Sequence, residues 1–232
     1  MFNTKSGYLM KYFNIKYILY FLMLINTSTS AQELEWIYKI GGVTAEYGKG
    51  LAVDLDENIY DISNFMGTVT VANNLSFTTR GTDDILIRKS SSTGILQWVK
   101  QIGSKGQDIS YDVATDFAEN VYVVGTFSDS LFLDSMFILE GSSGLPVSFI
   151  IKLNTEGTLL WARKFSSDVS VIAKSVTAGA QEELVITGTF EGMATFGSEL
   201  SIASNGGNDI FIVKLNGNTG IPIFIRRIGS SD

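Results

Sequence analysis

Short apolar runs, rich in Val, Ile, Phe and Tyr, are separated by clusters of Gly, Asn, Asp and Ser along nearly the whole chain after residue 31. That pattern predicts short β-strands joined by turns. No stretch of this region carries helical periodicity of useful length. Many runs are apolar on both faces. In Asn120–Phe127, Val121 and Val123 point one way while Tyr122 and Val124 point the other. A strand of that kind belongs in a sheet covered on both sides.

The runs recur. LEWIYKIG (34–41) returns as LQWVKQIG (96–103), LLWARKFS (159–166) and PIFIRRIG (222–229). The aromatic anchors Trp36, Trp98, Trp161 and Phe224 are spaced by 62, 63 and 63 residues. GLAVDLDENIYDISNF (50–65) matches YDVATDFAENVYVVGTF (111–127), and more loosely KSVTAGAQEELVITGTF (174–190). DILIRKSSSTG (84–94) matches SFIIKLNTEG (148–157) and DIFIVKLNGNTG (209–220), aligning Lys89, Lys152 and Lys214. Several registers agree at one step, so a single supersecondary unit is repeated.

Each unit reads as four strands, a to d. The D-x-x-x-N link between a and b, and the N-x-x-G link between c and d, are hairpin chemistry: Asx side chains cap the turn and Gly accepts positive φ. Gly125 and Gly188 mark a close approach of backbone or of a large ring. The repeated Trp is expected to fill the space between neighbouring sheets. In the third unit Ala178 stands at the Asp54/Asp116 position, Glu182 or Glu183 at the Asn58/Asn120 position and Val185 at the Tyr60/Tyr122 position. A different a–b turn is expected there.

The pattern W-x-x-x-I-G, D-x-x-x-N-[IV]-Y-x-x-G-x-F, D-x-[FL]-I-x-K-x-x-x-x-G resembles the SBBP-type β-propeller repeats of secreted bacterial proteins, notably from Bacteroidetes. It is more loosely similar to NHL-type propellers. The resemblance runs from Leu34 to Asp232. It implies an all-β propeller of four-stranded antiparallel blades and an exported, often cell-surface protein, and it implies no particular reaction. The repeats fall at about 42–103, 104–166 and 167–229 within a region 32–232. A leading d-strand, Leu34–Ile40, precedes them, giving thirteen expected strands. Propellers close with about four blades or more. Three units and a leading strand therefore predict an incomplete ring, with self-association through open blade edges.

Residues 1–31 read as a signal peptide. Lys11 and Lys16 form a basic n-region, Tyr17–Ile25 an apolar core, and Thr29 and Ala31 the −3 and −1 positions of a cut before Gln32. Met10 offers an alternative start. The apolar run is too short to span a bilayer, which takes about 20 residues. No Cys follows it for lipid attachment. Secretion or cell-surface display is the expected location.

Composition narrows the chemistry. The 232 residues include no His and no Cys. Ser-His-Asp and Cys-His catalysis, imidazole ligands, thiol nucleophiles and disulfides are excluded. Three of the 17 basic residues and no acid lie in 1–31, so the remainder carries 14 basic against 24 acidic residues, a net charge of −10. That is no footprint for nucleic acid.

Asp54, Asp56 and Asn58 have the opening spacing of a calcium loop, but Ile59 and Phe65 occupy its Gly and Glu positions. A capped hairpin turn is the better reading. Asp83, Asp84 and Asp209 precede strand c and are read as strand-start turn residues, with Ser148 at the matching site. Lys89, Lys152 and Lys214 are expected at the sheet rim with their stems packed on neighbours. Gly41-Gly42 and Gly206-Gly207 match no phosphate loop. The segments that break the repeat are 129–144 and 166–171; the first is a binding edge or blade packing. No catalytic, cofactor-binding or metal residue is assigned. The function read from the sequence is a non-enzymatic interaction or structural module with an unidentified protein or glycan ligand. The alternatives are a carboxylate-based hydrolase or lyase domain, or a carbohydrate-binding module, within a larger propeller.

Overall fold

A computed structural model describes residues 36–141, 145–179, 182–198 and 200–231. The signal-peptide reading of 1–31 lies outside the described residues. Trp36–Ile40 runs without regular pairing, and strand structure begins at β1 (Gly41–Gly42). The leading d-strand expected over 34–40 is therefore not formed among the described residues. Pairing starts just past its end, at Gly41 and Gly42.

The first repeat supplies β2 (Glu46–Val53), β3 (Ile59–Phe65), β4 (Thr68–Thr70), β5 (Ser76–Thr78), β6 (Asp84–Ser90) and β7 (Leu96–Gly103). The second supplies β8 (Ile109–Thr115), β9 (Val121–Phe127), β10 (Ser130–Leu133), β11 (Met136–Glu140), β12 (Val147–Leu153) and β13 (Leu159–Ser167). The third supplies β14 (Ser170–Ala178), β15 (Glu183–Glu191), β16 (Met193–Phe196), β17 (Leu200–Ala203), β18 (Asp209–Asn216) and β19 (Pro222–Ile228). Strands a to d form an antiparallel four-stranded blade in each case: β2-β3-β6-β7, β8-β9-β12-β13 and β14-β15-β18-β19.

The remaining strands correct the sequence reading. The b–c connection of every repeat folds as a short hairpin, and that hairpin leaves its own blade. β10-β11 extends the first blade through β7, with Phe132 opposite Gly103 and Leu133 opposite Ile102. β16-β17 extends the second blade through β13, with Phe196 opposite Phe165. β4-β5 pairs with β1, Thr70 opposite Gly41. Segment 129–144 thus does not break the repeat in its described part, since it holds the same hairpin as 68–78 and 193–203. Its apolar character is explained by Leu131 and Leu133, which are buried against the preceding sheet.

Three cores follow from this stacking. One face of β3 and β6 (Tyr60, Ile62, Ile85, Ile87) packs against the face of β9 and β12 that carries Val121, Val123, Phe149 and Ile151. Tyr122, Val124 and Ile150 pack in turn against Leu184, Ile186, Phe211 and Val213. A smaller cluster of Phe65, Val69, Val71 and Leu86 is covered by Ile40. The both-sided apolar strands of the second blade are thus explained: it is a layer between the first and the third. The a-strands share a bulge at one repeat position, after Gly48, Ser110 and Ala173. Such a bulge bends the strand and raises its twist.

Gly125 and Gly188 behave as expected. A Cβ at Gly125 would come closer than 3.0 Å to the Ile109 carbonyl oxygen and the Phe149 ring; at Gly188 it would meet the Ile172 carbonyl oxygen and the Phe211 ring.

Candidate functional site

The repeated Trp and turn glycines join neighbouring blades. Each Trp donates its indole N–H to a carbonyl in the c–d turn of the next blade: Trp36 to Ser92 (2.9 Å), Trp98 to Thr155 (2.9 Å) and Trp161 to Gly217 (3.0 Å). The ring then lies on that turn's glycine. Gly94, Gly157 and Gly220 have φ of 79°, 76° and 67°, and a side chain on any of them would meet Trp36, Trp98 or Trp161. One glycine satisfies two demands, left-handed backbone and room for a ring.

The lysines correct a second expectation. Lys89 and Lys152 do not sit at the rim. Both residues are buried, with relative exposures of 3% and 4%. Lys89 pairs with Asp54 at 3.5 Å, lies 5.0 Å from the Tyr60 ring centre and donates to the Thr155 carbonyl. Lys152 pairs with Asp116 at 3.4 Å, lies 5.1 Å from the Tyr122 ring centre and donates to the Gly217 carbonyl at 3.0 Å. A buried ammonium is tolerable because carboxylate, carbonyl and ring face together repay its lost hydration. Lys214 differs: its partner Glu183 is about half exposed, and Val185 stands where the Tyr would be.

The Asp54 turn takes the capped form. Asp54 accepts from the Asn58 backbone N–H at 2.8 Å and from its side-chain amide, and Asp116 does the same with Asn120. Burial acts to raise both aspartates, but the Asn bonds and the neighbouring lysines hold them below the usual carboxylate value. Burial and the Asp116 carboxylate hold the Tyr122 phenol well above its ordinary value. The third unit shares two described features with these turns, while residues 180–181 at its centre lie outside the described residues. Gly179 N–H bonds the Glu183 carbonyl as Asp54 N–H bonds that of Asn58, and Glu182 has the φ of 60° found at Glu119 and, at 61°, at Glu57. Gly179, not Ala178, occupies the Asp54 position.

Asp84 and Asp209 open strand c and are buried. Asp84 accepts from Gln101 (2.6 Å) and Arg80 N–H, while Asp209 accepts from Asn205 N–H (2.7 Å) and lies 3.6 Å from Arg227. Glycines Gly103 and Gly229 leave the room these carboxylates need, since a Cβ there would overlap them. The pairing places Val147, not Ser148, at the same position, opposite Phe127 as Asp84 is opposite Phe65. There Ser166 replaces the glycine, so acid and glycine disappear together. Ser148 instead bridges to the next blade, donating to the Val171 carbonyl and accepting from Ala173 N–H.

Asp108 is the most perturbed acid. Burial pushes it up to about 7, with the Asp84 charge adding repulsion and the Ser104 hydrogen bonds opposing. The folded state then holds a proton that the unfolded chain releases above pH 4. Stability contributed by this group is therefore present below about pH 4 and is lost as pH rises towards 7. The Asp108→Asn variant is expected to be more stable than the parent at pH 8 and equal to it at pH 4, read from urea midpoints at the two pH values.

One place gathers residues that depart from the repeat. The opposite face of the first blade carries Asp61, Ser63, Arg88 and Ser90, where the second blade has Val123, Gly125, Ile151 and Leu153 and the third has Ile186, Gly188, Val213 and Leu215. These polar residues line a groove of about 880 Å³ closed on its other side by Trp36, Tyr38 and Ile40. Arg88 holds Asp61 in a forked pair, Nε to Oδ1 at 3.0 Å and the terminal nitrogen to Oδ2 at 2.9 Å. Burial pushes Asp61 above its ordinary value in spite of that pair. Ser63 is 7% exposed, and its hydroxyl has no hydrogen-bond partner. The sequence reading missed this site. The signal was present as polar residues at positions that alternate apolar in the later repeats.

The blades, their hairpin extensions and their interlocking turns define a β-propeller-type array of antiparallel blades. Residues 97–126 match the SBBP β-propeller repeat family, a stretch running from strand d of the first blade through the a–b hairpin of the second. Over 233 aligned residues the chain is 28% identical to an uncharacterized WD repeat-containing protein of Acanthamoeba polyphaga mimivirus. The match takes in 86% of this chain and 16% of that relative, so the chain spans about one sixth of its length. No helix among the described residues is long and apolar enough to cross a membrane.

Proposed function

We propose that this chain is an exported, non-enzymatic propeller segment that serves as an interaction module at the cell surface. The observation that carries the reading is the division of labour among polar side chains. Asp54, Asp116, Lys89, Lys152 and the indoles of Trp98 and Trp161 are consumed by turns and blade contacts, while the side chains that depart from the repeat line a groove open to solvent. Binding, rather than bond-making by the repeated acids, is what such an arrangement serves. Export is supported by the n-region, apolar core and small-residue cut site of 1–31.

The experiment expresses the full chain in a bacterial host and sequences the N-terminus of the extracellular product. Gln32 is the expected first residue; a product that stays inside the cell with Met1 or Met10 at its start overturns export. Antibody labelling of intact, unpermeabilised cells then tests surface display.

A further inference from the structure

We propose that the groove between the Trp36–Ile40 segment and the first blade is a binding site for a neutral saccharide of about two or three sugar rings, a size suited to a cleft of this class. The proposal deepens the interaction-module reading by naming a site and a ligand class, and it does not depend on where the protein resides.

Three features of the site select this chemistry. The first is the wall. Trp36 and Tyr38 stand side by side, ring centres 5.7 Å apart and 56° to each other, with Tyr38 39% exposed. Such a surface receives the C–H face of a sugar ring, which is apolar and flat enough to lie on it. The second is the floor. The Asp61–Arg88 pair presents carboxylate lone pairs and guanidinium N–H groups side by side in fixed geometry. A hydroxyl donates and accepts at once, so neighbouring hydroxyls engage both members without breaking the pair. A ligand of either charge would be repelled by one member and would compete for the other. Glu46 and Lys49, which also line the groove, balance in the same way. The third is Ser63. Its buried hydroxyl has no partner in a groove otherwise ordered by hydrogen bonds, and a polar group in that state carries a cost that a ligand hydroxyl removes.

The repeat supplies the comparison. At the same strand positions the second and third blades carry Val123 with Ile151 and Ile186 with Val213, all packed against the preceding blade. A face that only had to be covered would keep that apolar surface. A face that only had to be wetted would not need an aromatic wall or a hydroxyl left buried beneath it.

The test titrates the chain with neutral trisaccharides built from glucose, mannose, galactose and N-acetylglucosamine, following heat and tryptophan fluorescence. Saturable binding of at least one is expected. Trp36→Ala should weaken it at least about tenfold, and Ser63→Ala about threefold. Phe224→Ala, at the equivalent position on the last blade, should leave it unchanged. Ser63→Ala keeps the proposal falsifiable if Trp36→Ala perturbs folding, and circular dichroism reports that. Three results overturn the proposal: no saturable binding by any of the sugars, binding confined to sulfated or uronic-acid sugars, or an affinity indifferent to both groove variants. None of these bears on N-terminal cleavage or surface labelling, so this proposal and the module reading fail separately.

Discussion

Trp161→Ala is expected to destabilise the protein by about 4 kcal/mol, in the range for deleting a large buried aromatic side chain. Melting should fall by roughly 10 °C for a chain of this size. Trp161 is 8% exposed, donates to the Gly217 carbonyl, lies on Gly220 and packs 6.0 Å from the Tyr122 ring. Removing it opens a cavity and takes one donor from a carbonyl that Lys152 still engages at 3.0 Å. The loss falls on the seam between the second and third blades. In a stacked array, stability is a sum of blade and seam contributions. Calorimetry should therefore show the single transition broadening or dividing as the third blade uncouples. Phe224→Ala is the matched control. That ring occupies the same repeat position but is 40% exposed, so the cost should stay below about 1 kcal/mol. Equal losses at the two positions would show that the aromatic acts within its own strand and not across the seam.

Gly125→Ala should cost about 3 kcal/mol, the upper range for forcing atoms into a filled core. The obstacle is the Ile109 carbonyl of the neighbouring strand together with the Phe149 ring. Phe149 is fully buried and can move only by displacing Phe127, 6.2 Å away. Carbonyl and ring would both have to retreat, straining the β8–β9 ladder at that point. Gly48→Ala, where a Cβ meets nothing within 4 Å, should change stability by no more than about 0.5 kcal/mol. Both are read as shifts in urea midpoint. A near-neutral Gly125→Ala would mean the sheet has slack that its close packing does not suggest.

The contrast between these glycines shows what kind of information the chain carries. The strand-interior glycine was legible because it interrupts an apolar run at the same place in two repeats. The c–d glycines were legible as turn residues, but their second role under the Trp rings was not. That role depends on a residue about 58 positions earlier, and no local pattern records the distance.

The lysines make the same point with the opposite outcome. A Lys at the end of an apolar strand reads as a rim residue, because local sequence says only that water is near. Its burial at Lys89 and Lys152 required a carbonyl from the following blade and an aspartate from the preceding hairpin to arrive at one point. Lys214 sits beside an exposed Glu183 and keeps the rim-like environment that its sequence suggests.

The amino-acid sequence by itself determined the strand-and-turn alphabet, the 62–63-residue step, the blade as unit and the aromatic that joins units. Each of these rests on side-chain properties that act locally: β-branched and aromatic preference for pleated surface, Asx capping, glycine's access to positive φ. Only the tertiary structure decided which sheet each b–c hairpin would join, that Lys89 and Lys152 would be buried, and that the departing polar residues of the first blade would face Trp36 across a groove. Strand addition is made by backbone N–H and C=O groups, which are the same in every residue, so the choice of neighbouring sheet leaves little trace in the sequence. Burial and convergence depend on what lies opposite, and that is set when one blade stacks on the next.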